Sequence, residues 1–138
     1  MPKNKVPSTL NEAVDQLLSQ MTEADKQAYR KEPADYPAIA GHFLAGMAMR
    51  NAWGLWFGKT GISRFLRKHR IVHGDDQSCT IYRALWRRLH DLPIDDAWLA
   101  GQAAFYEKFW RESGLTWDMK PIAGHKEPKI RQISIKRA

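Results

Sequence analysis

Between Ala38 and Ala52 the chain is apolar on nearly every side, with Gly41, Ala45, Gly46, Ala48 and Ala52 set among larger residues. A helix without a polar face belongs in the middle of a structure. Its small residues let neighbouring helices approach closely. The stretch does not suit a bilayer, because His42, Arg50 and Asn51 interrupt an already short apolar run. This spacing therefore predicts a central helix in a helical bundle.

The flanking segments supply the other helices. Thr9-Leu10-Asn11-Glu12 reads as a capping box, and Leu10, Val14, Leu17, Leu18 and Met21 follow on one helical face. Thr22-Glu23-Ala24-Asp25 restarts a short helix that Pro33 should end. Gly54 and Gly58 close the central helix, and Ile62 to Arg70 forms a short amphipathic one. After the turn at Gly74, Asp75 is the expected N-cap of a helix running to about His90. On that helix Tyr82, Leu85, Trp86 and Leu89 make the inner stripe, while Arg83 and Arg87 share another face. Beyond Pro93, Asp95 or Asp96 caps a last helix to about Ser113, with Trp98, Gln102, Tyr106, Phe109 and Trp110 along one side. After Gly114 the periodicity fades, and a basic extension is expected, with weak alternation over Lys129–Ile135.

The expected fold is thus all-α: a single-domain bundle of five or six helices around the 38–52 helix. Residues 1–113 make the helical domain and 114–138 a short basic C-terminal tail. A chain of 138 residues can bury about two thirds of its unfolded surface and needs no disulfide or metal to fold. Cys79 is the only cysteine, which excludes an intramolecular disulfide and a cysteine-built zinc site. The Met1–Lys5 segment is basic without a following apolar run, so no secretory signal is expected. The cytoplasm, bacterial or that of a host cell for a phage product, is the expected location.

The net charge of +7 is unevenly placed. Residues 59–90 carry +6 and 114–138 carry +4, whereas 91–113 carry −3. A local basic excess attracts polyanions. Arg64, Arg67, Lys68, Arg70, Arg83 and Arg87 are the candidate binding residues, and nucleic acid, a nucleotide or an acidic protein surface are the expected partners. Gly61 to His90 loosely has the form of a helix-turn-helix, but its second helix lacks the Asn, Gln and Ser mixture that reads bases, so binding would be weakly sequence-specific. Self-association into a homodimer completes the list of expected partners.

A stretch of rarer residues marks another unit: His42-Phe43, Gly46-Met47, Arg50-Asn51, Trp53-Gly54-Leu55-Trp56, Ser63-Arg64, His73, Asp75-Asp76, Ser78 and Arg87-Arg88-Leu89. Over residues 42–94 the chain resembles an uncharacterised family of small bacterial and phage-type domains of unknown function. It departs from that pattern at Gly74, where the pattern has Pro, and at Trp86 and His90, where it has His and Asn. The resemblance implies which residues form a unit and carries no activity with it.

Several motifs lead nowhere. Gly58-Lys59-Thr60 is not the end of a phosphate-binding P-loop, because Trp53 occupies the place of the required first glycine. His42, His73, Asp75 and Asp76 contain no paired metal-ligand motif, so no metal or cofactor is expected. No nucleophile–base pair or spaced carboxylate pair argues for an enzyme. Arg50 closes the most apolar helix, and a buried cation needs a partner. It should pair with Asp75 or Asp76. The alternative is that Arg50, Trp53, Trp56 and His73 line a pocket for a phosphate-bearing or aromatic ligand. The leading expectation is a non-enzymatic protein that binds an acidic partner. The runner-up is a phage-type or host-interaction protein that sequesters a nucleotide signal or blocks a defence enzyme.

Overall fold

A computed structural model describes residues 5–34 and 45–124. The expected all-α bundle is the architecture observed, with six helices among the described residues: α1 (Leu10–Ser19), α2 (Glu23–Lys31), α3 (Ala45–Ala52), α4 (Gly61–Lys68), α5 (Gly74–Leu89) and α6 (Asp96–Glu112). His42 and the 38–44 part of the expected central helix lie outside the described residues, as does Lys129–Ile135.

The helix starts follow from their caps. Thr9 accepts from the Glu12 amide at 3.2 Å, and the Glu12 carboxylate accepts from the Ser8 amide at 3.2 Å. Thr22 and Asp25 form a reciprocal capping box. Asp95 caps α6 by accepting from the Trp98 amide at 2.9 Å. The start of α5 differs from expectation. Its N-cap is His73, whose Nδ1 accepts from the Asp75 amide at 3.1 Å. Asp75 and Asp76 both fall in the first turn, where a negative charge meets free amides.

Four helices end on left-handed residues. Leu55, Ile71, Leu92 and Leu115 donate back to Arg50, Leu66, Arg87 and Trp110, placing Gly54, Arg70, Asp91 and Gly114 at the turning point. Gly54 suits its φ of 60°, whereas Arg70 at 66° and Asp91 at 53° adopt a conformation that side-chain-bearing residues rarely take.

The core draws Leu10, Ala13 and Val14 from α1, Ile62 and Leu66 from α4, and Ile81, Ala84 and Leu85 from α5. Trp53 and Leu55 of the turn after α3, and Ile71 of the α4–α5 link, complete it. Within α3, Met49 and Arg50 are buried and Asn51 and Ala52 are exposed. The helix that touches most of the others is α5, which packs on α1, α2 and α3. Buried Gln77 of α5 ties the link to it. Its amide donates to the carbonyls of Ile71 at 2.9 Å and Val72 at 3.2 Å, and its oxygen accepts from Ser63 at 3.0 Å. Buried polar groups of this kind are stabilising only because each is paired.

Helix α2 is held to the far end of α5 by polar contacts. Tyr29 donates to the Tyr82 carbonyl, Arg30 to that of Leu89, and the Trp86 indole to that of Glu32. After α6, residues 114–122 fold back through a single antiparallel bridge between Leu115 and Pro121. No helix among the described residues is long and apolar enough to cross a membrane.

Candidate anion-binding groove between α5 and α6

Asp76, Thr80, Arg83 and Arg87 recur along α5 at four- and three-residue intervals and so form one stripe. Helix α6 runs antiparallel along it and meets each in turn. Trp110 Nε1 donates to Asp76 Oδ2 at 2.7 Å. The Tyr106 hydroxyl lies 3.5 Å from Thr80 Oγ1 and accepts from Arg83 at 2.6 Å. Gln102 Oε1 also accepts from Arg83, at 3.2 Å, and Arg87 lies over the Trp98 ring at 5.4 Å from its centroid. Leu99, Ala103 and Tyr106 bury the adjoining face of α6. Aromatic and polar side chains of α6 make these contacts with α5.

Towards the C-terminal end of α5 this contact opens into a cavity of about 300 Å³. Its described lining is Ala34, Arg83, Trp86, Arg87, Trp98, Gln102 and Phe105. Both guanidinium groups are oriented in advance: Arg83 by Gln102 and Tyr106, and Arg87 by donating from Nε to the Pro93 carbonyl at 2.7 Å. Trp86 is fixed by its bond to Glu32 and by stacking on His90 at 3.9 Å. Phe105, at the rim, is 58% exposed. Burial raises the Tyr106 hydroxyl pKa against the lowering pull of Arg83, so it stays protonated at neutral pH. Two fixed cations with flat apolar walls suit an anion that carries an aromatic ring.

The six basic residues expected to act together do not form one surface. Arg83 and Arg87 face one flank of α6, at Trp98, Gln102 and Phe105. Lys68 and Arg70 face the opposite flank, at Ala100, Ala103, Ala104 and Glu107. Arg70 also covers the Trp117 ring at 4.8 Å. Arg64 donates to the Lys59 carbonyl, and Arg67 is half-buried beside the Gly58 turn. The separating element is α6 itself, whose position a helix-by-helix reading of faces does not give.

Of the alternative pocket, Arg50, Trp56 and His73 come together at the start of α5. Arg50 is 5% exposed, its Nε lies 3.4 Å from Asp75 Oδ1, and it donates to Ser78 at 3.0 Å. Its guanidinium lies over Trp56, 5.7 Å from the ring centroid. His73 meets Trp56 edge-on at 5.2 Å and stacks on Trp110 at 4.9 Å. Trp53 does not join them; it is buried in the core, and its carbonyl accepts from Thr60. The expected pairing of Arg50 with Asp75 is therefore what the structure contains. Burial raises the Asp76 carboxyl above its ordinary range, opposed by the Trp110 bond and by His73 and Arg83. Among the described residues no three His, Cys, Asp or Glu side chains group to hold a metal.

A family model described as a domain of unknown function, DUF6794, matches residues 6–89. The chain belongs to the DUF6794 family. The match begins well before the motif residues at 42–94 and takes in α1 to α5, ending at the last residue of α5. Helix α6 and the bridge after it lie outside the DUF6794 match, so one wall of the groove is family domain and the other is not. No curated protein and no solved structure matches the chain.

The groove residues missed by sequence reasoning are Trp86, Trp98, Gln102, Phe105 and Tyr106. Trp86 belongs to the stripe expected to face inward on α5, and Trp98, Gln102 and Tyr106 to the side picked out along α6. The available signal was the polar spacing of Asp76, Thr80, Arg83 and Arg87 on α5, which needed a polar or aromatic cover.

Proposed function

We propose that this DUF6794 chain is a non-enzymatic binding protein that takes a phosphate-bearing partner, a nucleotide or a nucleic acid, into the α5–α6 groove. Arg83 and Arg87 hold the phosphate, and Trp98 and Phe105 receive the base. The observation that supports this reading most is the pairing, in one cavity, of two pre-oriented guanidinium groups with flat aromatic walls. Pre-orientation lowers the entropy lost on binding. Such a protein would work in the cytoplasm, of a bacterium or of a host cell.

Binding of single-stranded DNA, single-stranded RNA and mononucleotides across a salt series tests it. Two phosphate contacts give a log–log salt slope of about −1 to −2. Arg87→Ala should weaken binding roughly 10-fold or more, the worth of a charge-assisted hydrogen bond. Lys68→Ala should matter only for polymers long enough to pass over α6 and reach its other flank. Absence of salt-sensitive binding to every one of these ligands at low salt ends the proposal.

A phage-type or host-interaction role is a second reading, in which the protein sequesters a nucleotide signal or blocks a defence enzyme. Trp56 and Phe57, adjacent and 42% and 73% exposed, favour it by offering an apolar contact surface beside the His73 cluster.

A further inference from the structure

The polar stripe of α5 has its cover on an element outside the matched domain, and that cover is joined through a constrained link. We infer that the α5 stripe is a docking surface for an α6 helix from a second copy of this chain, so that two molecules can exchange α6 and complete each other's groove. The fit is already made within one chain: Trp110, Tyr106, Gln102 and Trp98 meet Asp76, Thr80, Arg83 and Arg87 in antiparallel order. An identical helix from a partner makes every one of these contacts without a new surface, which makes exchange a low-cost route to a dimer.

The link supplies the bias. Residues 90–95 reverse the chain between α5 and α6, and the reversal places Asp91 at φ 53°. Opening the link releases that residue into ordinary backbone, and short strained hinges invite exchange. Arg87 Nε grips the same link at the Pro93 carbonyl, so the closed link and the groove are coupled. The inference is independent of what the groove binds.

The first test shortens the link. Deleting residues 91–94 in the full chain leaves two residues of the six that now make the reversal, and removes the left-handed turn at Asp91 on which it closes. The expected product is a dimer by light scattering, with the near-ultraviolet circular dichroism of the parent chain. Adding Tyr106→Ala and Trp110→Ala to the shortened chain should dissolve that dimer. A monomer that loses the aromatic signal overturns the inference, as does a dimer that survives both substitutions.

The second test uses the intact chain, refolded from guanidinium chloride at low and at high protein concentration and sized by native mass spectrometry. A dimer fraction is expected at high concentration, reduced at least 2-fold in Asp91→Gly, which accepts the left-handed turn. An intact chain that returns as monomer at every concentration overturns the inference whether or not the shortened chain folds.

Discussion

Trp110 Nε1 donates to Asp76 Oδ2 at 2.7 Å and so ties the last turns of α6 to the first turn of α5. One partner belongs to the DUF6794 match and the other does not. Trp110→Phe keeps the stacked ring on His73 and removes the donor. The half-buried carboxylate then lacks this bond, at a cost of about 1–3 kcal/mol. Urea unfolding should show the loss, and an unchanged midpoint would count against the bond.

Asp76 also makes stability depend on pH. Burial raises its folded pKa, while Trp110, His73 and Arg83 hold it down and Asp75 pushes it up. A raised folded value means that its contribution is fully present below the ordinary 3.8 and is lost as pH rises through the folded value. Asp76→Asn carries no such charge and still offers an oxygen to Trp110. The variant should gain on the parent chain as pH is raised from about 3 to 7, across the carboxyl range. Denaturant midpoints measured in parallel check this; a difference flat with pH refutes it.

Arg50 at 5% exposure makes Asp75 structurally important. Removing one partner of a buried pair costs about 3–5 kcal/mol. The Asp75 side chain is 36% exposed, and Ser78 remains as an acceptor, so Asp75→Ala should cost less, about 1–2 kcal/mol once solvent screening is allowed for. Arg50→Ala should cost more, because packing against Trp56 is lost as well. Thermal unfolding of the two variants should rank them in that order.

The ring of Trp56 lies against the backbone at Gly74. A Cβ at Gly74 would lie 2.6 Å from Trp56 Cε3. Gly74→Ala should push Trp56 off the turn and away from His73, at about 1–3 kcal/mol for overpacking. Near-ultraviolet circular dichroism and tryptophan emission should both change. If neither moves, Trp56 does not lie against this glycine in solution.

Much of the helical framework was legible because caps announce themselves. Thr9, Thr22 and Asp95 are residues whose side chains accept from free amides, and each starts the helix expected of it. The Arg50–Asp75 pair was legible by charge balance, since the basic third holds only two acids. The α5 start was not, because histidine caps only through a ring nitrogen and Asp75 is the commoner choice. Arg70 and Asp91 hid two helix ends, since neither residue announces a left-handed turn as Gly54 does. The division of the basic residues was out of reach for a different reason. Periodicity assigns Lys68 and Arg83 to outward faces of their own helices, but which flank of α6 each meets depends on how a third helix docks.

The cap on α5 carries one more consequence. His73 Nδ1 accepts from the Asp75 amide, so a neutral ring bears its proton on Nε2. Turning the ring would give up that bond together with the edge-on contact to Trp56 and the stack on Trp110. One imidazole thus locks the entrance of the helix that carries both groove arginines to the turn before it and to the last turns of α6.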